Sequence, residues 1–401
     1  MKLLIVAMAN SVHAARWISL ISEQGWDIYL FPTNSFTSVH PEMPPVNVCG
    51  SKFLRFLVNR YRRKKTAIKV KDSLLDRNTN FFSWGNVVKE FFPEKRTKKL
   101  LGVIKRIKPD LVHSMHIQEA GYLTMEAKKR YKGAFPKWLV TNWGSELNLF
   151  SRISGHKEKI VEVLLNCDYL SGECSNDIKI AEKLGFKGKF LPVVPNSGGF
   201  DFEKINRIKK TGRTSERKNI MLKGYQNWAG RALVGLRALE RCSDLLKGYR
   251  IIIYSVGTVD VIIAAELFTQ KTGIETLIIP SGSTTHDEIL SHHGTSRISI
   301  GLSITDAIST SLLEAMVMGS FPIQSDTSCA YEWFENGQTG ILVRPEDSED
   351  IEKAIRKALA DDDLVDRAAK LNYDMLFRRL EYSGIKNRVI NTYQGLIDNK
   401  K

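Results

Sequence analysis

Two successive runs of short apolar segments, separated by longer amphipathic segments, most constrain how this 401-residue chain folds. In the first half, the segments that predict strands are residues 3–7, 27–31, 111–113, 138–142 and 169–172. In the second half, they are residues 220–223, 250–255, 276–279, 298–302 and 321–324. The segments between them show helical spacing, as in 12–24, whose apolar residues share one face. Strands that alternate with helices predict parallel sheets, so we expect two doubly wound, Rossmann-like α/β domains.

Turn-rich and polar stretches mark the boundary between the two runs. Residues 192–200 are rich in Pro, Gly, Asn and Ser, and 209–218 contain little to bury. We therefore predict an N-terminal domain over 1–195 and a C-terminal domain over 196–370. The pattern of 371–401 is helical and predicts closing helices that return to the first domain. Ligands of open α/β sheets bind beyond the carboxyl ends of strands, so we expect a central cleft faced by both domains to hold the site.

The distribution of apolar residues and cysteines bears on localisation and metals. The N-terminal apolar run ends at Ala9 and is too short for a signal peptide. No segment approaches the ~18–20 apolar residues that cross a bilayer, which predicts a cytoplasmic protein. The five cysteines form no CxxC pair and have no histidines at zinc-ligand spacing, which argues against a metal site.

Positive charge is concentrated in one stretch of the chain. The net charge is +15, and residues 51–110 carry 18 Lys and Arg against 5 Asp and Glu, a net of +13. Within this stretch, 52–65 alternate cations with aromatic and aliphatic residues. That pattern suits an anionic membrane surface, such as the inner face of the plasma membrane, and fits a solvated basic helix equally well. No nucleic-acid-binding motif accompanies the charge, so we expect no nucleic-acid partner.

The segment 298–319 is the richest in candidate chemistry. It predicts a buried strand, a polar loop and a helix that begins near Ser309, Thr310 and Ser311, any of which could be the N-cap. A helix N-terminus offers free N–H groups and partial positive charge to a diphosphate. Asp306 and Glu314 lie on either side of this turn, where carboxylates could accept hydrogen bonds from sugar and ribose hydroxyls. A capped helix with Glu314 exposed at the surface fits the spacing as well.

This segment resembles the signature of retaining glycosyltransferases of family 4, which have the GT-B fold. The signature is a carboxylate, seven residues, then Glu, followed by a Gly-x-Pro strand, and it corresponds here to Asp306, Glu314 and 315–322. Asp stands where the family more often has Glu, and Ala-Ile-Ser replaces the usual Gly-Phe-Gly of the loop. The resemblance implies that Glu314 binds the ribose hydroxyls, Asp306 the transferred sugar, and the amides from Ser309 to Leu312 the diphosphate.

Two more segments of the second half resemble the family's donor site. Residues 221–231 are similar to its basic, Gly-bearing diphosphate segment, which makes Lys223, Gly224 and Arg231 candidates. The family more often has Arg first and Lys about five residues later, and an Arg231 that faces solvent at a helix start is the simpler alternative. Cations beside a diphosphate leaving group stabilise the charge that develops on it. Ser281 lies in a loop that, in this fold, touches the base through backbone atoms.

His13 opens the first helix, just after the first strand. A lone histidine there is often structural, but in the family a histidine at this place reaches the donor sugar and its phosphate. His113 and His116 end a later strand and are further candidates that we expect to face the same cleft.

Residues 142–146, Asn-Trp-Gly-Ser-Glu, resemble the acceptor-side loop of the family. Asn142 and Glu146 are its candidate polar contacts, Glu146 to hydroxyls of the acceptor or donor. Gly144 would let the backbone approach a ligand closely.

The resemblance implies a retaining, metal-independent hexosyltransferase without a cofactor. The donor would be a UDP or GDP sugar, and attack on it would be front-side, with the departing phosphate helping to deprotonate the acceptor hydroxyl. A saccharide or lipid-linked saccharide of envelope polysaccharide or lipopolysaccharide synthesis fits as acceptor. Three alternatives stay open from the residues alone: a sugar-nucleotide epimerase, a non-catalytic sugar-nucleotide-binding subunit, and a nucleic-acid-binding protein, whose binding would be salt-sensitive.

Overall fold

A computed structural model describes residues 1–34, 39–49, 93–327 and 329–398. The basic segment 52–65 lies outside these residues, so its docking to a membrane stays a prediction. The chain forms two compact units, one of Met1–Gly198 with Ser383–Lys401 and one of Gly199–Tyr382. Among the helices of the described ranges, none is long and apolar enough to cross a membrane.

The first unit contains a parallel sheet in the order β3-β2-β1-β4-β5-β6-β7. Its strands are β1 (Lys2–Ala7), β2 (Asp27–Pro32), β3 (Asn47–Val48), β4 (Leu111–Met115), β5 (Lys137–Thr141), β6 (Tyr169–Ser171) and β7 (Lys189–Phe190). Its helices are α1 (Val12–Ile21), α2 (Pro93–Ile107), α3 (Tyr122–Lys129), α4 (Ser145–Asn148), α5 (His156–Asn166) and α6 (Ser175–Lys183). A π-helical turn, Ile117–Gly121, precedes α3, and a 3₁₀ turn, Phe150–Arg152, follows α4.

The second unit contains a parallel sheet in the order β10-β9-β8-β11-β12-β13. Its strands are β8 (Asn219–Lys223), β9 (Arg250–Val256), β10 (Glu275–Pro280), β11 (Ser296–Gly301), β12 (Phe321–Ser325) and β13 (Ile341–Val343). Its helices are α7 (Phe202–Ile208), α8 (Ala232–Arg241), α9 (Val259–Thr272), α10 (His286–Thr295), α11 (Thr310–Val317), α12 (Ser348–Ala360) and α13 (Asp362–Leu380), and a 3₁₀ turn spans Cys329–Glu332. The last helix, α14 (Tyr382–Asp398), lies almost entirely in the first unit.

The predicted fold class, two parallel α/β sheets, is confirmed. All ten predicted strands are present, because each is a run of apolar residues that the helices on the sheet bury. The strands that the sequence pattern missed are β3, β7 and β13, which are two or three residues long and lie at sheet edges. Such short edge strands have too few buried residues to produce a pattern.

A chain of buried hydrogen bonds attaches α14 to the sheet of the first unit. The hydroxyl of Tyr393 accepts a hydrogen bond from Trp17 Nε1 at 2.9 Å and lies 2.6 Å from His113 Nδ1. The other ring nitrogen of His113 lies 2.6 Å from Thr141 Oγ1. Burial lowers the pKa of His113 to about 3, so the ring is neutral at pH 7. The hypothesis that His113 faces a ligand is therefore wrong, since both of its nitrogens are used in the core.

Changing Tyr393 to Phe should destabilise the first unit by about 1–3 kcal/mol, because two buried polar groups lose their shared partner. Urea denaturation would measure the change in the free energy of unfolding. The matched control is Tyr373→Phe, whose hydroxyl makes an exposed hydrogen bond to Asn206 and whose loss should change stability by less than about 0.5 kcal/mol. Equal effects of the two substitutions would contradict this account of α14.

Candidate functional site

The predicted donor-binding residues lie at one edge of the second sheet. Lys223 ends β8, Ser281 follows β10, and the loop after β11 leads into α11. The sheet is parallel and β9 lies between β8 and β10, so the carboxyl ends of these strands share an edge. The exposed Ser281 is fixed there by its backbone N–H, which donates to Val256 O at 2.8 Å.

The first turn of α11 is suited to an anion. Ser309 is the N-cap, but its side chain caps no backbone amide; its Oγ lies 2.9 Å from Ser311 Oγ. The buried Tyr254 side chain lies beside Ser311. The amides of Thr310 and Ser311 have no acceptor within the helix, and they carry its partial positive charge. Leu312, the next residue, is buried and packs the turn against the core.

Glu314 is buried on α11, with 6% of its surface exposed. Its Oε1 lies 2.7 Å from Nε2 of His286, the first residue of α10. The simpler interpretation of Glu314 as an exposed surface charge is therefore wrong. A buried carboxylate needs hydrogen-bond donors, and the imidazole supplies one while fixing the orientation of the group. Sequence reasoning missed His286, because only the fold brings it to Glu314.

Asp306 lies half-buried in the loop between β11 and α11. Its Oδ1 accepts a hydrogen bond from the next backbone amide, that of Ala307, at 3.0 Å. The same loop is bonded to the segment 225–231, since Ile304 N donates to Ala229 O at 3.0 Å. The structure thus places the loop of Asp306 beside the predicted diphosphate segment.

The three candidates of the diphosphate segment have different surroundings. Gly224 has no room for a side chain, because a Cβ there would lie 2.6 Å from a methyl group of Val256. Arg231 does not simply face solvent: its Nε donates to Glu346 Oε1 at 2.9 Å, and its Nη1 donates to carbonyls of its own loop. Lys223 is half-buried, with its ammonium 4.5 Å from the ring centre of Tyr225. Arg231 thus stabilises the loop, and Lys223 is the cation better placed for a ligand.

In the first unit, three rings gather at the carboxyl ends of neighbouring strands. The ring of Trp143, after β5, lies 5.6 Å from that of His13, after β1, and 5.2 Å from that of His116, after β4. The sheet order β1-β4-β5 explains why these segments meet. Sequence reasoning included Trp143 in the acceptor-side loop but did not single it out. An indole and two imidazoles form a surface on which a sugar ring can pack.

Glu146 holds the predicted acceptor-side loop, residues 142–146, together. Its carboxylate is 1% exposed, and its Oε1 accepts hydrogen bonds from the amides of Trp143 and Ile117, both at 3.1 Å. His116 Nε2 lies 3.6 Å from the same oxygen. His116 and Gly144 have φ values of 88° and 104°. A positive φ is costly for histidine and, with the π-helical turn beside it, is typical of functional sites.

Asn142 is fully buried, close to the carboxyl group of Asp177. Its backbone carbonyl accepts a hydrogen bond from Asn196 Nδ2 at 3.3 Å, while its side-chain amide atoms have no hydrogen-bond partner among the described residues. Burial raises the pKa of Asp177 to about 7, although the hydrogen bond from Glu173 N to its Oδ2, at 3.0 Å, opposes the shift. Asn142 therefore belongs to a buried polar cluster under the acceptor-side loop.

The raised pKa of Asp177 predicts a pH-dependent stability. Because the folded pKa lies above the unfolded value of about 3.9, the stabilising contribution of this group is complete below about pH 4 and is lost as pH rises through about 7. Asp177→Asn should therefore gain stability relative to the natural protein between pH 5 and pH 8. Urea denaturation at each pH would measure this, with the exposed Asp260→Asn as control. A difference that does not change with pH would contradict the prediction.

Comparison with known proteins bears on the family and the fold of the chain. A family model described as glycosyl transferases group 1 matches residues 263–375, and one described as glycosyl transferase 4-like matches 65–169. Sucrose-phosphate synthase from Thermosynechococcus elongatus has a similar structure, with a TM-score of 0.71, 12% identity and 100% of both chains covered. A glycosyltransferase from Rickettsia africae has a TM-score of 0.66 and 16% identity, with 99% of both chains covered.

Anabaena HepE in complex with UDP-glucose has a TM-score of 0.67 and 12% identity, with 98% of this chain and 100% of HepE covered. No curated protein matches the chain by sequence. The two family models nevertheless give the family, and the shared architecture gives the fold. The chain therefore belongs to the group 1, family-4-like glycosyltransferases, which use nucleotide sugars, and it has the GT-B fold.

Proposed function

We propose that the chain transfers a hexosyl group from a UDP or GDP sugar to a hydroxyl of a saccharide acceptor, with retention of anomeric configuration. The observation that carries this proposal is the buried Glu314, oriented by His286 on the helix whose first turn presents free amides. Glu314 accepts hydrogen bonds from the ribose hydroxyls, and the amides at Thr310 and Ser311 bind the diphosphate. Asp306 binds the transferred sugar.

Charge stabilisation at the diphosphate provides the catalysis. Lys223 and the first turn of α11 stabilise the negative charge that grows on the leaving phosphate, and such fixed dipoles require no metal ion. The departing phosphate takes the proton of the acceptor hydroxyl as that hydroxyl attacks the same face of the sugar. His13 contacts the transferred sugar and its phosphate.

The acceptor packs against the rings of Trp143 and His116 at the edge of the first sheet. Aromatic faces bind the apolar side of a sugar ring, and polar backbone groups of the loop that Glu146 holds bind the hydroxyls around it. A saccharide or lipid-linked saccharide of envelope polysaccharide or lipopolysaccharide synthesis fits this site. HepE, a structural relative, binds UDP-glucose, which makes that sugar the first donor to test.

Product analysis tests the proposal. The purified protein would be incubated in EDTA with UDP- and GDP-sugars and a panel of mono- and oligosaccharides. Mass spectrometry would detect a hexosyl addition, and NMR coupling constants would give the anomeric configuration. We expect an α-linked product from an α-linked donor without added metal. An inverted product, or an interconverted donor sugar without transfer, would contradict the mechanism; the second result would identify an epimerase.

We also propose that residues 52–65 attach the protein peripherally to the inner face of the plasma membrane. The support is their alternation of cations with aromatic and aliphatic residues. Flotation with liposomes tests it: recovery should be high with anionic lipid, low with neutral lipid, and lost when four of the cations are reversed. Equal recovery under all three conditions would contradict attachment through this segment.

A further inference from the structure

The second unit contains a cavity of about 310 Å³ that the donor site does not use. This volume is at the lower end of the range for small-molecule sites, roughly 300–1,000 Å³. One wall is α13, and the other is the polar segment that connects α7 to β8. The charged residues of the lining are Lys209, Arg213, Arg217, Lys370, Asp366 and Asp374.

The cavity lies at the opposite edge of the sheet from the donor residues. Arg217 comes two residues before β8, and its Nη1 donates to Ser296 O, at the start of β11, at 3.2 Å. The same nitrogen donates to Met318 O, just after α11, at 3.3 Å. The cavity is thus at the amino ends of these strands, whereas Lys223 ends β8. The five residues of β8 separate the two edges by roughly 17 Å.

Positive charge exceeds negative charge in the lining. Four cationic side chains, Lys209, Arg213, Arg217 and Lys370, stand against two carboxylates. One of these, Asp366, already accepts hydrogen bonds from the backbone and hydroxyl of Ser215 at 2.9 and 2.8 Å.

Two of the cations are partly buried and close to each other. Burial, and then the charge of Arg217, lowers the pKa of Lys209 to about 8, while Asp374 opposes the shift. Burial also lowers the pKa of Arg217, and there Asp366 opposes the shift. The Lys209 ammonium lies 4.4 Å from the ring centre of Tyr373, which holds it beside the cavity. Two like charges near each other in a partly desolvated site repel, the two carboxylates offset part of that repulsion, and a bound anion would offset the remainder.

We propose that this cavity binds the phosphate group of a small phosphorylated metabolite. Lys209 and Lys370 contribute compact point charges, and Arg213 adds planar N–H donors that match phosphate oxygens. Asp374 can accept hydrogen bonds from hydroxyl groups of the remainder of the ligand. The segment 209–218 thereby has a role beyond that of a polar connection. This inference does not depend on the proposed transfer reaction.

Thermal unfolding in the presence of inorganic phosphate and of glucose 6-phosphate tests the proposal, with chloride at equal ionic strength as reference. Both ligands should raise the Tm of the full chain in a saturable way, by about 3 °C or more. In Lys209→Met and in the exposed Lys370→Gln, the half-saturating concentration should increase by about tenfold. The matched control is Arg367→Gln, an exposed cation on α13 outside the lining, which should respond like the natural protein.

Lys223→Gln separates this cavity from the diphosphate turn of the donor site. The phosphate response should survive in Lys223→Gln. Loss of the response in Lys223→Gln together with its retention in Lys209→Met and Lys370→Gln would place phosphate in the donor site and overturn the proposal. An equal Tm rise with chloride would overturn it too, because the effect would then be ionic strength alone.

Discussion

Changing Glu314 to Gln is expected to lower kcat/KM for the donor by about 100-fold or more. A carboxylate that accepts two ribose hydroxyls makes charge-assisted hydrogen bonds, each contributing about 1.5 kcal/mol or more. The amide keeps the size of the side chain but loses the charge and one acceptor. Because the remaining oxygen accepts from His286, both ribose hydroxyls lose their acceptor, and the loss of these two bonds corresponds to about two powers of ten. Glu314→Ala should remove most activity by the same weakening of nucleotide binding.

Donor turnover at varied sugar-nucleotide concentration would measure this effect, together with nucleotide affinity. The matched control is Glu266→Gln on α9, an exposed carboxylate, which should leave both unchanged. His286→Asn should weaken donor binding less than Glu314→Gln, because the carboxylate remains and only its orientation is lost. An unchanged donor affinity in Glu314→Gln would show that the ribose is bound elsewhere.

Changing Glu146 to Ala should destabilise the first unit by about 2–4 kcal/mol and raise the acceptor KM. The substitution leaves the amides of Ile117 and Trp143 without their shared acceptor in a buried place. Each such unsatisfied donor costs about 1–3 kcal/mol. The loop that carries Trp143 would then lose its fixed position, which is why acceptor binding should weaken as well.

Urea denaturation and acceptor kinetics on the same preparations would test this prediction. Glu126→Ala is the matched control, since this carboxylate makes surface ion pairs with Lys129 and Arg130 and its loss should change stability by less than about 1 kcal/mol. Glu146→Gln keeps one oxygen and should give an intermediate loss. A raised acceptor KM with unchanged stability would instead mean that Glu146 acts only on the ligand.

The fold could be predicted because each strand and each helix is indicated by residues that are adjacent in the sequence. Buried parallel strands such as β1 and β8 are continuous apolar runs, whereas in the helices between strands the apolar residues recur every three to four positions. The turn at Ser309 could be predicted for the same reason, since strand, loop and helix follow directly along the chain. Short edge strands such as β13 could not be predicted, because three residues are too few to show a hydrophobic periodicity.

The site was harder to predict, because its contacts join distant parts of the chain. His286 pairs with Glu314 across 28 residues, and no local pattern marks the pair. Spacing also does not distinguish a residue that binds ligand from one that holds a loop. Arg231 and Glu146 have sequence positions typical of ligand contacts, yet hydrogen bonds tie both to backbone groups of their own or neighbouring loops.

Calorimetric titration of the natural protein with UDP, GDP, ADP and CMP in EDTA tests the central claim most directly. Binding of a nucleoside diphosphate at the first turn of α11 should not need a metal ion. We predict that one base binds clearly more tightly than the others in EDTA, and that Glu314→Gln weakens this binding by about 100-fold. If no nucleotide binds in EDTA, or if natural protein and Glu314→Gln bind equally, the donor site proposed for the second unit is contradicted.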